Sequence, residues 1–172
     1  MSVRRPVVAV VVLALLGAAA SAAAEVITVT PAQLDLDGAW SGPAVPEEPS
    51  PGEAWVVRRN GEAVLTVTRA QAGNTAAWRS KTREAYIDGV EAAILRGAEK
   101  LSSKRSKIGR DNVPVLDIVM RRKSPSGRME MVAVRVLLFR TVTVGAAAGA
   151  PDSRSGKKLV EGAVTKLVPL RM

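Results

Sequence analysis

The 172-residue chain contains no cysteine and no histidine. The first absence excludes disulfides, thiol nucleophiles and thiolate metal sites, together with the acylated N-terminal cysteine of a bacterial lipoprotein. The second removes the commonest metal ligand and the usual general base near neutral pH. Zinc chemistry and Ser-His or Cys-His nucleophilic catalysis thereby lose their working parts. Aromatics are scarce too: three Trp, one Tyr and one Phe in a composition that is 47% hydrophobic. Much of the apolar content is Ala and Val, so the core it predicts is one of small side chains with few large anchors. Nucleobases would find little to stack on.

Negative charge is also in deficit, and unevenly so. The formal net charge is +9. Between Glu25 and Asn60 six acids (Glu25, Asp35, Asp37, Glu47, Glu48, Glu53) face Arg58 and Arg59, whereas from Gly61 onward twenty-one basic residues face ten acidic ones. An acidic head precedes a basic domain.

What is present begins with a leader. Arg4 and Arg5 form a positive region, Pro6–Leu16 an apolar one, and Ala22-Ala23-Ala24 supplies small residues ahead of Glu25. This is the pattern of a cleaved signal peptide over residues 1–24. The alternative is an uncleaved anchor, since Val7–Ala24 approaches the ~20 residues needed to span a bilayer. Either reading takes the domain out of the cytoplasm, to the periplasm or the medium. Heavy use of Ala, Arg, Val and Gly is the habit of a GC-rich bacterial genome.

Residues 25–53 read as an acidic, Pro-rich segment ahead of a single domain over residues 54–172. Val26–Val29 is a short strand candidate, and Asp35, Asp37 and Gly38 form a polar turn. Their D-x-D-G spacing lacks the closing Glu of a calcium loop, because the twelfth position is Pro46. Gly42–Gly52 carries four prolines, which forbid regular structure. Asn60-Gly61 between two β-type runs predicts a hairpin with both residues at the centre of its turn. Its core face is predicted as Ala63, Leu65 and Val67.

From Asn74 to Ser103 the apolar spacing turns helical, with a stripe that includes Tyr86, Val90 and Ile94, and Gly89 and Gly97 as points of close approach to a sheet. Lys104–Ile108 is a short strand candidate. Val113–Arg122 and Met129–Phe139 are β runs separated by Ser124-Pro125-Ser126-Gly127. For the first, the face holding Leu116, Ile118 and Met120 is the better core candidate; the second is apolar on both faces, as a central strand would be. Continuing to Ala146 makes it about three times an ordinary strand of ~5–6 residues, so a reversal is predicted near Arg140-Thr141. Asp152 or Ser153 caps a last helix with Leu159, Val160, Ala163 and Val164 on its apolar side. Strands grouped rather than alternating with helices predict an α+β fold: a mainly antiparallel sheet with one long helix and a C-terminal helix packed on it.

This order of elements resembles the PsbP-like and DcrB-like group of exported bacterial and plastid domains. The resemblance rests on Gly38-Ala39-Trp40, the hairpin up to Val64–Thr68, the helix Thr75–Leu101, the run VPVLDIVMRRK, the strands MEMVAVRVLLFR and TVTVGAAA, and the helix ending by Leu170. The chain departs from the group in its Pro/Glu loop and in lacking a Gly-rich turn near Arg140. The resemblance implies a small exported accessory or assembly factor, non-enzymatic, with no catalytic residues to carry over and no cofactor.

Few residues are candidates for chemistry. Ser155-Gly156-Lys157-Lys158 lacks the first Gly and the final Ser or Thr of a P-loop. Asp117 and Glu130, on successive strand candidates, are a formal pair of carboxylates, but Arg121 and Arg135 are ready partners. The basic clusters stand out more: Lys104, Arg105, Lys107 and Arg110; Arg121, Arg122, Lys123 and Arg128; and Arg154, Lys157 and Lys158. The first two are predicted to merge into one patch for an anion or a partner protein. In an exported protein the partner would be an envelope protein, with anionic lipid or glycan as the alternative and nucleic acid disfavoured by compartment.

Overall fold

The computed structural model describes residues 24–41, 54–71 and 80–170. The leader and the prolines of residues 42–52 lie outside them, as do Trp78 and Thr75 of the expected long helix. Among the described residues no helix is long and apolar enough to cross a membrane.

The described residues form two antiparallel sheets. Strands β1 (Glu25–Val29) and β2 (Ala32–Leu36) form a hairpin through the cis Thr30–Pro31 peptide, and β2 pairs with the three-residue strand β9 (Leu167–Pro169). The larger sheet has six strands in the order β3-β4-β8-β7-β6-β5. These are β3 (Ala54–Asn60), β4 (Ala63–Gln71), β5 (Glu99–Ile108), β6 (Val113–Lys123), β7 (Met129–Leu138) and β8 (Val142–Pro151). Helix α1 (Ser80–Ile94) lies on one face, and α2 (Arg154–Val164) with the small sheet on the other. The architecture is the expected α+β one.

Burial explains the layering. Period-two alternation sends Val115, Val119, Met131, Ala133, Leu137, Val144, Ala146 and Ala148 toward α2 and the small sheet, where Val160, Ala163, Val164, Leu34 and Leu36 meet them. The opposite face sends Leu116, Ile118, Met120, Val132, Val134, Val136 and Leu138 toward Ile87 of α1. Strand β6 is therefore core on both faces, not on one. Fully buried side chains such as Leu65, Leu116 and Leu137 each contribute about 1.5–3 kcal/mol. On β4 the predicted face of Ala63, Leu65 and Val67 is the buried one.

Four sequence expectations change. Ile27, Val29, Ala32, Leu34, Leu36 and Trp40 belong to the main core, so residues 25–41 are part of the domain rather than a segment ahead of position 54. The hairpin turn has Gly61 and Glu62 at its centre, with Asn60 opposite Ala63; only Gly61 takes positive φ, at 58°. The long helix stops at Ile94, because Gly97 (φ 73°) turns the chain and the backbone from Glu99 onward is captured by β6, Glu99 facing Arg121 and Ser103 facing Ile118. Gly89 is exposed with nothing near its missing side chain, so it is no point of close approach. The reversal near Arg140 holds: β7 ends at Leu138, β8 begins at Val142, and the Phe139 N–H donates to the Val142 carbonyl at 2.9 Å.

Candidate functional site

The strand register decides where the basic clusters go. In the β5–β6 pair Lys107 lies opposite Pro114 and Glu99 opposite Arg121. Lys107 and Arg110 thus sit at one end of the sheet, and Arg121, Arg122, Lys123 and Arg128 at the other. Eight residues of β6 separate Pro114 from Arg122, about 26 Å at ~3.3 Å per residue. The two clusters form separate patches and do not merge, because antiparallel pairing reverses the direction in which β5 and β6 run.

Their electrostatics also differ from a uniform basic surface. Arg105 reaches from β5 to α1, where it contacts Asp88 and Glu91 at 2.7 Å each and Glu84 at 3.4 Å. The hydrogen bond from Arg105, then one from Ser103, hold the Glu91 carboxyl below the usual carboxylate range, against burial that pushes it up. Lys100 adds a contact to Glu91 at 3.6 Å. Arg121 contacts Asp152 at 2.8 Å and Glu99 at 3.2 Å, and Arg122 lies 3.8 Å from Glu130. Arg105 and Arg121 thus tie neighbouring elements together, while Arg122 makes a longer surface contact. Lys104, Lys107, Arg110, Lys123 and Arg128 are exposed and, among the described residues, have no ion pair. Of the third cluster, Lys157 pairs along α2 with Glu161 at 3.9 Å.

The carboxylates Asp117 and Glu130 point to opposite faces of the sheet. Asp117 lies opposite Arg135 on the α2 side; Glu130 lies opposite Arg122 and lines the α1 side. They cannot flank one substrate, which excludes this pair as a two-carboxylate site. Asp37, from the calcium-like spacing, accepts from the Ala39 N–H at 3.3 Å and pairs with Lys166 at 3.4 Å. No group of three or more acidic residues able to hold a metal occurs among the described residues. The Ser153 hydroxyl caps α2 by accepting from the Gly156 N–H at 2.9 Å, so the P-loop-like run is an ordinary first turn of helix.

Sequence reasoning missed a cleft of about 620 Å³ on the α1 side. Helix α1 lies over β6 and β7 and leaves β8 and β4 partly uncovered. Gly145, Ala147 and Gly149 of β8 floor the cleft, and Val64, Thr66 and Thr68 of β4 wall one side. The pattern TVGAAAGA carries this signal: the small residues alternate onto one face. Tyr86 and Thr143, their hydroxyls 3.2 Å apart, link α1 to β8.

Comparison with known proteins places this architecture. The chain matches the solution structure of cyanobacterial PsbP (CyanoP) from Synechocystis sp. PCC 6803 with a TM-score of 0.57, over 92% of this chain and 99% of that one, at 14% sequence identity. It also matches PA94, a Pseudomonas aeruginosa protein of unknown function, with a TM-score of 0.45 over 87% and 99% of the two chains at 15% identity. No family model and no curated protein matches the sequence. The protein has a PsbP-like fold.

Proposed function

We propose that the protein is an exported, non-enzymatic accessory or assembly factor of a bacterial cell envelope, and that it works by binding a protein partner. The observation that carries this reading is the β5 edge. Strand β5 is an outermost strand ten residues long, and its exposed Lys104 and Lys107 lack an acidic partner among the described residues. An edge strand can accept an extended segment of another protein as an added strand. Its lysines repel a second copy of the same edge while favouring an acidic segment. The signal-peptide pattern of residues 1–24 and the PsbP-like fold support the exported accessory role.

The test is site-specific photocross-linking from Lys104 in the native envelope, with Lys158 on α2 as the control position. A discrete product from Lys104 that Lys104→Glu/Lys107→Glu abolishes supports the reading; equal products from both positions, or a reproducible hydrolase activity of the purified protein, overturns it. A second reading, binding of anionic polymer or lipid, is favoured by Arg110, Lys123 and Arg128, which project from turns without ion partners among the described residues. Steep loss of binding between low and moderate salt would favour it over a packed protein interface.

A further inference from the structure

At one end of the molecule the turn between β5 and β6, the turn between β7 and β8, and the start of α1 converge on a cavity of about 390 Å³. Its lining is mainly apolar, with Val113, Leu138, Phe139 and Pro169. Arg83 of α1 and Arg140 of the β7–β8 turn line it as well. Neither arginine has an ion pair among the described residues, although Arg83 is half-buried. Asp111 is the acid in the lining. A neighbouring cavity of about 380 Å³ shares Arg83 and Pro114 and brings in Lys107, together with Glu84 and Arg105, which pair with each other. Basic residues therefore outnumber acidic ones around a lining that is otherwise mainly apolar.

We infer that this cavity binds a single-chain amphiphile of the fatty-acid class. Its carboxylate sits between Arg83 and Arg140, and its chain lies against Phe139, Leu138 and Pro169. Three observations select this occupant. The volume falls within the ~300–1,000 Å³ of small-molecule sites, which are mainly apolar with a few placed polar groups. The guanidinium groups present the paired donors that a planar carboxylate accepts. The apolar wall gives no partner to a fully polar anion such as free acetate, whose binding would rest on the arginines alone. The site adjoins the Lys107 end of β5, but it rests on Arg83 and Arg140 whereas the accessory role rests on the lysines of the edge, so either reading can fail without the other.

The experiment titrates the full-length mature chain with monomeric laurate, dodecyltrimethylammonium and acetate, by calorimetry and by amide chemical shifts. Laurate is expected to bind and to shift the amides of Val113, Leu138 and Phe139, with the other two ligands at least tenfold weaker. Arg83→Ala and Arg140→Ala should each weaken laurate roughly tenfold, while Lys123→Ala/Arg128→Ala, at the opposite end, should leave its affinity within twofold. The inference is overturned if laurate does not bind, if dodecyltrimethylammonium binds as well, if both arginine variants keep wild-type affinity, or if the shifts map to the cleft over β8. Should Arg83→Ala fail to fold, Arg140→Ala, in an exposed turn, and the wild-type shift map decide the matter.

Discussion

Arg135 holds both carboxylate oxygens of Asp117 across the β6–β7 pair, with Nε at 2.7 Å from one and Nη2 at 3.0 Å from the other. Its remaining nitrogen donates to the Thr165 carbonyl at 2.7 Å, at the C-terminal end of α2. One side chain thus joins the centre of the large sheet to the helix and to the chain entering β9. A cation there also meets the negative end of the helix dipole.

Both partners are mostly buried, at 13% and 25% side-chain exposure, so losing one strands the other. Arg135→Ala is expected to cost about 2–3 kcal/mol of stability, because a half-buried carboxylate and a helix-terminal carbonyl lose their donor. Arg135→Lys should cost less, since the ammonium keeps a positive charge beside Asp117, but not nothing, since it cannot reproduce the paired geometry. Asp117→Ala/Arg135→Ala should fall short of the sum of its single variants. Urea denaturation of the four proteins checks this; an Arg135→Ala loss below about 0.5 kcal/mol would show the network to be idle.

Two helical glycines should respond to alanine with opposite signs. A Cβ on Gly156 would lie 2.3 Å from the Pro151 carbonyl oxygen and 3.0 Å from the Ser153 hydroxyl. The first contact is with backbone, which cannot swing away, and the second is the cap of α2. Gly156→Ala is therefore expected to cost about 1–3 kcal/mol. Gly89 has nothing within 4 Å and ordinary helical φ, so Gly89→Ala should add about 0.5–1 kcal/mol through helix propensity and a less floppy unfolded chain. Thermal melts of both variants test the pair, and the same sign for both would refute the packing argument.

Local chemistry made much of this architecture legible in the sequence. Alternation marked the buried face of β4 and the two apolar faces of β7, and the capping chemistry narrowed the start of α2 to Asp152 or Ser153, because each depends on residues within a few positions. Three features depend on distant backbone instead. Glu99–Ser103 has helical spacing, yet β6 recruits it as a strand. Ile27 and Leu34 gain a core only because Leu167 returns beside them. Arg83 reads as part of the polar face of a helix and Arg140 stands alone in a β run, so neither joined a basic cluster, and only the convergence of turns brings them to one cavity. The clusters that were visible, Arg105 and Arg121 among them, are partly consumed by ion pairs with acids at a distance in the chain.

Acid should loosen the contact between α1 and the β5 edge. The Glu91 carboxyl titrates below its ordinary range in the folded protein because Arg105 and Ser103 hydrogen-bond its charged form. Glu25 is likewise lowered, chiefly by its hydrogen bond from Arg58 and then, beyond an opposing effect of burial, by the Arg58 charge. A group with a depressed folded value gives stability that is present above its unfolded value, about 4.3 for Glu, and disappears as pH falls through the folded value. Stability should therefore decline below about pH 5. Glu91→Gln should be less stable than wild type at pH 7 and show a shallower decline. Denaturation midpoints at a series of pH values decide; parallel curves for the two proteins would show that Glu91 contributes nothing to the acid response.

The unpaired cations offer the sharpest functional test, because the clusters occupy opposite ends of the sheet. Lys104→Glu/Lys107→Glu changes the β5 edge, and Lys123→Glu/Arg128→Glu changes the opposite end of the sheet. Neither pair makes an ion pair among the described residues, so both variants should stay within about 0.5 kcal/mol of wild-type stability. If an acidic strand of a protein partner adds to β5, the first variant should lose envelope association and the second retain it. Moderate salt should weaken that association only modestly, because strand addition rests on backbone hydrogen bonds screened little by ions. Delocalised attraction to an anionic surface would make the two variants equally weak and the salt dependence steep. Sedimentation of each variant with native envelope at low and moderate salt separates these outcomes, and equal loss from both ends would refute the edge-strand reading.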